Sequence, residues 1–193
     1  ALTKEAGRVN GVTARDRLSG AQYTVYGRVI INATGPFSDG INKLDTPGGE
    51  PAIAPSQGVH IVLDKHFLPG ETALLIPRSS DGRVLFAIPW HDRVLVGTTD
   101  TEIQDAPAEP EATPEELGFL LSELGGYLSA QPTLADIKSL FVGVRPLTAP
   151  SSERNSAGVS REHSVRVSDS GLVRVTGGKW TTYRVMAKDV VDS

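Results

Sequence analysis

The segment from Gly58 to Gly97 constrains the fold more tightly than any other part of the sequence. Four short β-patterned runs, Gly58–Leu63, Thr72–Pro77, Arg83–Ile88 and Arg93–Gly97, follow in close succession. Asp81-Gly82 and His91-Asp92 fall between successive runs, where hairpin turns belong. Runs this short, punctuated by turn residues, predict an antiparallel sheet. The period then changes. Thr113-Pro114-Glu115-Glu116 is a capping box with Thr at the N-cap, Pro at the first helical position and Glu at the third. Leu117, Leu120, Leu121, Leu124 and Leu128 recur at helical spacing, which predicts a helix over 114–129 with its apolar stripe packed on a core. Gly125-Gly126 weakens the last turns of that helix.

The flanking thirds are also strand-rich. Arg8 to Asp16 alternates, Leu18-Ser19-Gly20-Ala21 supplies a turn, and Tyr23 to Ala33 is β-rich. Val29-Ile30-Ile31 is continuously apolar up to Asn32, which predicts a strand buried on both faces and ending at Ala33-Thr34-Gly35-Pro36. Thr46-Pro47-Gly48-Gly49-Glu50-Pro51 reads as a connecting loop. Late in the chain, Ile137–Val144, Ser164–Val167 and Leu172–Thr176 are strand candidates, the last two joined by Ser168-Asp169-Ser170-Gly171. Gly177-Gly178 then opens a final helix from about Thr181 to Asp192.

Composition narrows the function classes. A chain of 193 residues, 39% hydrophobic and 22% charged, excludes coiled coil, collagen and wholesale disorder. A net charge of -4 argues against a general nucleic-acid binder. With no cysteine there is no disulfide framework, thiolate metal site or cysteine nucleophile. His60, His66, His91 and His163 show no zinc-like spacing, so no metal is expected. Asn32-Ala33-Thr34 matches a glycosylation sequon but closes a buried-looking strand, and is discounted. No G-x-S-x-G anchors a serine hydrolase and no G-x-G-x-x-G marks a pyrophosphate site. The sequence opens without an initiator Met or the apolar stretch of a signal peptide, which is what an excised piece of a longer cytoplasmic protein would show.

Four constellations could carry chemistry. Gly177-Gly178-Lys179-Trp180-Thr181-Thr182-Tyr183-Arg184 sits at a strand-to-helix junction. A glycine pair admits close approach of a ligand, and the helix start offers N–H groups and a positive dipole end. A capped helix with an exposed lysine would give the same string. Gly143-Val144-Arg145-Pro146-Leu147 fixes an arginine beside a rigid proline, and Ser160-Arg161-Glu162-His163 carries a second. Two arginines on separate segments can clamp a phosphate or carboxylate, although each alone suits a surface salt bridge. His60 lies in the apolar strand Gly58-Val59-His60-Ile61-Val62, either as a structural histidine or as a base.

Val29-Ile30-Ile31-Asn32-Ala33-Thr34-Gly35-Pro36 with Asp39 resembles a flavin-contacting segment of the FAD-dependent glycerol-3-phosphate dehydrogenases. Further segments resemble that family in the same order: Gly58–Val62, Asp81–Val84 with Ile88-Pro89-Trp90, Gly97-Thr98-Thr99-Asp100, Gly143–Leu147, Ser160–His163 and Gly177–Arg184. The resemblance runs from about Val9 to Asp192.

The resemblance implies an α+β (α/β) chain. Residues 1–45 and 143–193 would be part of an FAD-binding domain of the glutathione-reductase and D-amino-acid-oxidase type. Residues 46–142 would be an antiparallel-sheet substrate domain with helices on one side. The family's N-terminal dinucleotide-binding unit and C-terminal helical domain have no counterpart in the sequence, so the chain by itself is expected to be inactive and to hold FAD poorly. Arg145 and Arg161 resemble the arginines that hold the substrate phosphate, Lys179 resembles a substrate-binding lysine beside the flavin, and His60 and Lys179 are rival candidates for the base. Ala33, Thr34, Gly35, Gly178, Trp180, Thr181 and Thr182 would lie against FAD. The implied reaction oxidises sn-glycerol 3-phosphate to dihydroxyacetone phosphate and passes electrons to a quinone. The family places such a protein peripherally on the inner face of the cell membrane and allows a homodimer. An oxygen-using glycerol-3-phosphate oxidase, an amine oxidase of the same flavin superfamily and a non-catalytic phosphate-binding module are the alternatives.

Overall fold

The computed structural model describes residues 1–149 and 162–193. In chain order the first strands are β1 (Leu2–Glu5), β2 (Arg8–Arg15), β3 (Gln22–Tyr26) and β4 (Ile30–Asn32), followed by helix α1 (Ser38–Asp45). Then come β5 (Ile53–Asp64), β6 (Leu74–Ile76), β7 (Leu85–Trp90), β8 (Arg93–Gly97) and β9 (Thr101–Glu102). Helix α2 (Pro114–Gly125), β10 (Ser139–Thr148), β11 (His163–Val167), β12 (Leu172–Gly177) and α3 (Tyr183–Asp192) complete the chain. Two compact units result. The first is Ala1–Pro55 with Arg145–Ser193, and the second is Ser56–Val144. No helix among the described residues is long and apolar enough to cross a membrane.

The second unit contains the antiparallel sheet expected from Gly58–Gly97. Its strand order is β10-β5-β8-β7-β6, with β9 also pairing β5. Burial has period two, as one covered face requires. Val59, Ile61 and Leu63 of β5, Leu85 and Ala87 of β7, and Val94 and Val96 of β8 are all buried, and Leu120, Leu121 and Leu124 of α2 join them in one core. Trp90 pairs with Arg93 across a two-residue turn in which His91 has φ 52°, and Gly82 takes φ 84° in the preceding connection.

Helix α2 starts as its capping box dictates. Glu116 N–H donates to the Thr113 hydroxyl (3.3 Å) and Thr113 N–H donates to the Glu116 carboxylate (3.0 Å). It ends at Gly125, short of the expected 129. Gln131 supplies the reason: its side chain donates to Leu121 O (3.0 Å) and lies where a Cβ on Gly125 would be. Leu128 still packs at the core edge from beyond the helix. Glu116 is itself buried. Burial would raise its pKa, but hydrogen bonds from Thr113, Thr101, Gln57 and Thr99 outweigh that and hold it below the ordinary glutamate value.

In the first unit β1-β2-β3 form an antiparallel sheet, and β11-β12-β4 form a mixed one. Two expectations are corrected here, and one helix appears where none was read. The β-rich run from Tyr23 to Ala33 is two strands, interrupted at Gly27-Arg28-Val29. Val29 and Ile31 are exposed, so β4 is not covered on both faces; it is an edge strand whose buried residue is Asn32. Helix α1 occupies a stretch that carried no helical stripe, because Ile41 and Leu44 are its only large apolar residues. An isolated eight-residue helix is unstable in water. Polar ties hold this one. Asp39 accepts from Ala52 N–H (3.0 Å) and Ile53 N–H (3.3 Å). Asp45 pairs with Lys4 at 2.9 Å and accepts from the Ser170 hydroxyl. Burial works against the Asp45 carboxylate, yet these donors hold its pKa down at about 2.

Candidate functional site

The site is built first by strand register. β4 and β12 run parallel, with Ile30 opposite Leu172, Ile31 opposite Val173 and Asn32 opposite Arg174. Their carboxyl ends therefore point the same way, with β12 running on to Gly177 past the point where β4 ends. In α/β sheets ligands bind outside the carboxyl ends of the strands. Ala33-Thr34-Gly35 leaves one of these ends and Gly178-Lys179-Trp180 the other.

Asn32 shapes the first turn. Its side-chain amide donates to Ser38 O (3.0 Å) and Asn42 Oδ1 (2.9 Å), and its Oδ1 accepts from the Thr34 hydroxyl (2.7 Å). The sequon residue is thus a buried scaffold for the turn. Ala33 and Thr34 are exposed. Gly35 has φ 57°, and a Cβ there would meet nothing within 4 Å, which leaves its backbone open to a ligand.

Gly177 and Gly178 stand at φ 69° and 81°, the left-handed region that disfavours side chains. A Cβ on Gly177 would lie 2.3 Å from Thr148 Oγ1 and 2.5 Å from Glu162 O; one on Gly178 would lie 2.4 Å from Met186 Sδ. The end of β10 thus abuts the glycine pair, three residues after the half-buried Arg145. His163 Nε2 lies 2.8 Å from Asp189 Oδ2, which ties β11 to α3 just behind the pair.

Beyond the glycines the chain turns through Trp180–Thr182 in a short 3-10 stretch, and α3 begins at Tyr183, two residues later than expected. The Thr182 hydroxyl donates to Lys179 O (3.0 Å) and closes this turn. Lys179, Trp180, Thr181 and Thr182 are exposed, Trp180 by 87%. Trp180 stacks on Tyr183 with ring centroids 5.7 Å apart. An open loop with N–H groups at a helix start, a lysine and a flat aromatic suits an anionic or electron-rich planar ligand.

Of the other sequence-assigned residues, His60 lies half-buried on β5 in the second unit, directly opposite Gly97. Its ring stacks on Phe141 at 4.8 Å. Arg161 lies outside the described residues. Thr148, Met186, Asp189, Gly97 and Phe141 were not singled out as individual site residues from sequence. Apart from Met186, each acts on a residue far away in the chain, and only the closely spaced glycines gave a signal that something must approach them.

The family model for FAD dependent oxidoreductases (DAO) matches residues 1–192. The mitochondrial glycerol-3-phosphate dehydrogenase of Mus musculus is 41% identical over 188 residues, covering 96% of this chain and 26% of the mouse protein. The mitochondrial enzyme of the same name from Arabidopsis thaliana is 40% identical over 186 residues, 96% of this chain and 29% of the plant protein. The crystal structure of glycerol-3-phosphate dehydrogenase from Bacillus halodurans complexed with FAD superimposes with a TM-score of 0.85 at 34% identity, covering all of this chain and 36% of that one.

Proposed function

The chain belongs to the FAD-dependent oxidoreductase family, and from that premise we propose that it is part of a flavoenzyme that oxidises sn-glycerol 3-phosphate to dihydroxyacetone phosphate. The observation that carries this reading is a pair of turns leaving adjacent parallel strands, one open at Gly35 and one in which the packed pair Gly177-Gly178 leads into the exposed Lys179–Thr182 stretch, all three glycines at positive φ. FAD fits what these turns offer. The backbone at Gly35 is open, Trp180 is exposed for planar contact, and the start of α3 presents its positive end. Ala33, Thr34, Gly35, Gly178, Trp180, Thr181 and Thr182 would hold it.

When bound, FAD supplies the two-electron acceptor. The chain's own residues do the rest. Arg145 and Arg161 bind the substrate phosphate, for which rigid guanidinium forks suit a dianion better than flexible ammonium groups. Lys179 adds a further cation to substrate binding. The alcohol proton must leave to a base within about 3 Å, and the imidazole of His60 is the group we assign. Lys179 is the rival for that proton. We assign a quinone as the acceptor of the electrons and a peripheral location on the inner face of the cell membrane.

The test is the visible spectrum of the FAD-loaded full-length protein that contains this chain, recorded anaerobically before and after glycerol 3-phosphate. Bleaching of the flavin band is the expected result, with faster return of colour on adding a quinone analogue than on admitting oxygen. Arg145→Ala should raise KM on the order of 100-fold, the scale for truncating one partner of a buried charge pair. A band that bleaches only with an amino acid would move the substrate class to amines.

A further inference from the structure

We infer that Phe141 and Gly97 are positioning residues that hold the His60 imidazole in one working orientation; this rests on the assignment of His60 as the base. The register puts His60 of β5 directly opposite Gly97 of β8. On one side the imidazole leans over that glycine. A Cβ at Gly97 would fall 2.2 Å from His60 Cδ2 and 2.7 Å from both Cγ and Nε2, so the Cδ2 edge of the ring occupies space that any other residue would fill. On the other side Phe141 of β10 stacks on the ring, with centroids 4.8 Å apart and planes 6° from parallel. All three residues belong to the second unit and to one sheet.

The χ2 torsion of histidine is soft, so an imidazole on a strand is not oriented by its backbone. Here Phe141 stacks on the ring and the bare Gly97 backbone leaves room for its Cδ2 edge, and both contacts restrict the ring plane. That matters for a base, because proton transfer requires the accepting nitrogen within hydrogen-bond reach of the alcohol, and misplacement by about 1 Å can cost roughly 100-fold in rate. A merely structural pairing predicts something else. Phe141 is 49% exposed, so its loss should leave the unit folded.

Two readouts test the proposal. The chain has four histidines, so in histidine-labelled protein the ring signal that disappears in His60→Asn belongs to His60. Stacking on Phe141 should hold that signal upfield, and Phe141→Leu should release it. In the FAD-loaded full-length protein that contains this chain, His60→Asn should slow flavin reduction by glycerol 3-phosphate by about 100-fold or more. Phe141→Leu should slow it about 10-fold with little change in KM, Phe141→Tyr should restore it, and the double variant should be no slower than His60→Asn alone. Gly97→Ala, if it folds, should resemble Phe141→Leu. An unmoved ring signal in Phe141→Leu overturns the inference. So does a Phe141→Leu protein as fast as the parent when His60→Asn is slow, in which case the base assignment stands. A fast His60→Asn protein removes the base assignment and this inference together.

Discussion

What forbids a side chain differs among Gly35, Gly177 and Gly178, although all three share the left-handed backbone. At Gly35 only the backbone conformation objects, since a Cβ would meet nothing within 4 Å. At Gly178 the nearest atom is Met186 Sδ, the far end of a flexible side chain. At Gly177 a Cβ would strike the Glu162 backbone carbonyl and the Thr148 hydroxyl, and the carbonyl cannot give without moving the chain. Replacement by Ala should therefore destabilise in that order. Gly35→Ala should cost about 1 kcal/mol from φ alone, and Gly178→Ala slightly more. Gly177→Ala should cost about 3 kcal/mol once overpacking is added. Urea midpoints of the three variants check the ranking, and equal losses would mean that the backbone alone makes these residues glycine. Sequence made the glycine pair visible as a place of close approach. It could not say that the approaching atoms come from Thr148, Glu162 and Met186, because tertiary neighbours leave no mark at the glycines themselves.

At the scale of elements, legibility followed the source of stability. β5, β7, β8 and α2 were readable because burial writes its own period, two for strands and three to four for a helix. Helix α1 was not, because Asp39, Asn42 and Asp45 hold it through partners at Ala52, Asn32, Lys4 and Ser170. Its polar anchors make it sensitive to acid. Its donors hold the Asp45 carboxyl down at about 2 in the folded chain, below the ordinary aspartate value. A depressed folded pKa gives stability that is complete above the unfolded value and is lost as pH falls through the folded one. The contribution is on the order of 2 kcal/mol, present at pH 5 and above and disappearing between about pH 4 and pH 2. Asp45→Asn should lower the urea midpoint at pH 7 and change it progressively less as the pH approaches 2. A gap that stays constant across that range would show that the ionised carboxylate, held by Ser170 and Lys4, is not the source. Glu116, also held below its ordinary value, acts in the same direction on α2.

Across the whole molecule, apolar burial is unevenly divided. The continuous core formed by Val59, Ile61, Leu63, Leu85, Val94, Val96 and the leucines of α2 lies entirely in the second unit. The first unit buries Val9, Ile53, Leu147, Leu172 and Val173, and relies otherwise on buried polar groups such as Asn32, Asn42 and Asp45. A net intramolecular hydrogen bond contributes about 1 kcal/mol, whereas a fully buried Leu or Val contributes about 1.5–3 kcal/mol. The second unit should therefore be the more stable. The turns assigned to FAD lie in the first, as expected if binding segments come from the less protected part of a structure. Native-state hydrogen exchange checks this. The slowest amides should fall in β5, β7, β8 and α2, and those of β4, β11 and β12 should exchange sooner. Leu63→Ala should cost about 2–5 kcal/mol, the range for emptying a buried leucine site, and should speed exchange in the second unit's sheet. If the slowest amides lay in β4 or β12 instead, the polar scaffold around Asn32 and Asp45 would be contributing more than hydrogen bonds of ordinary strength supply.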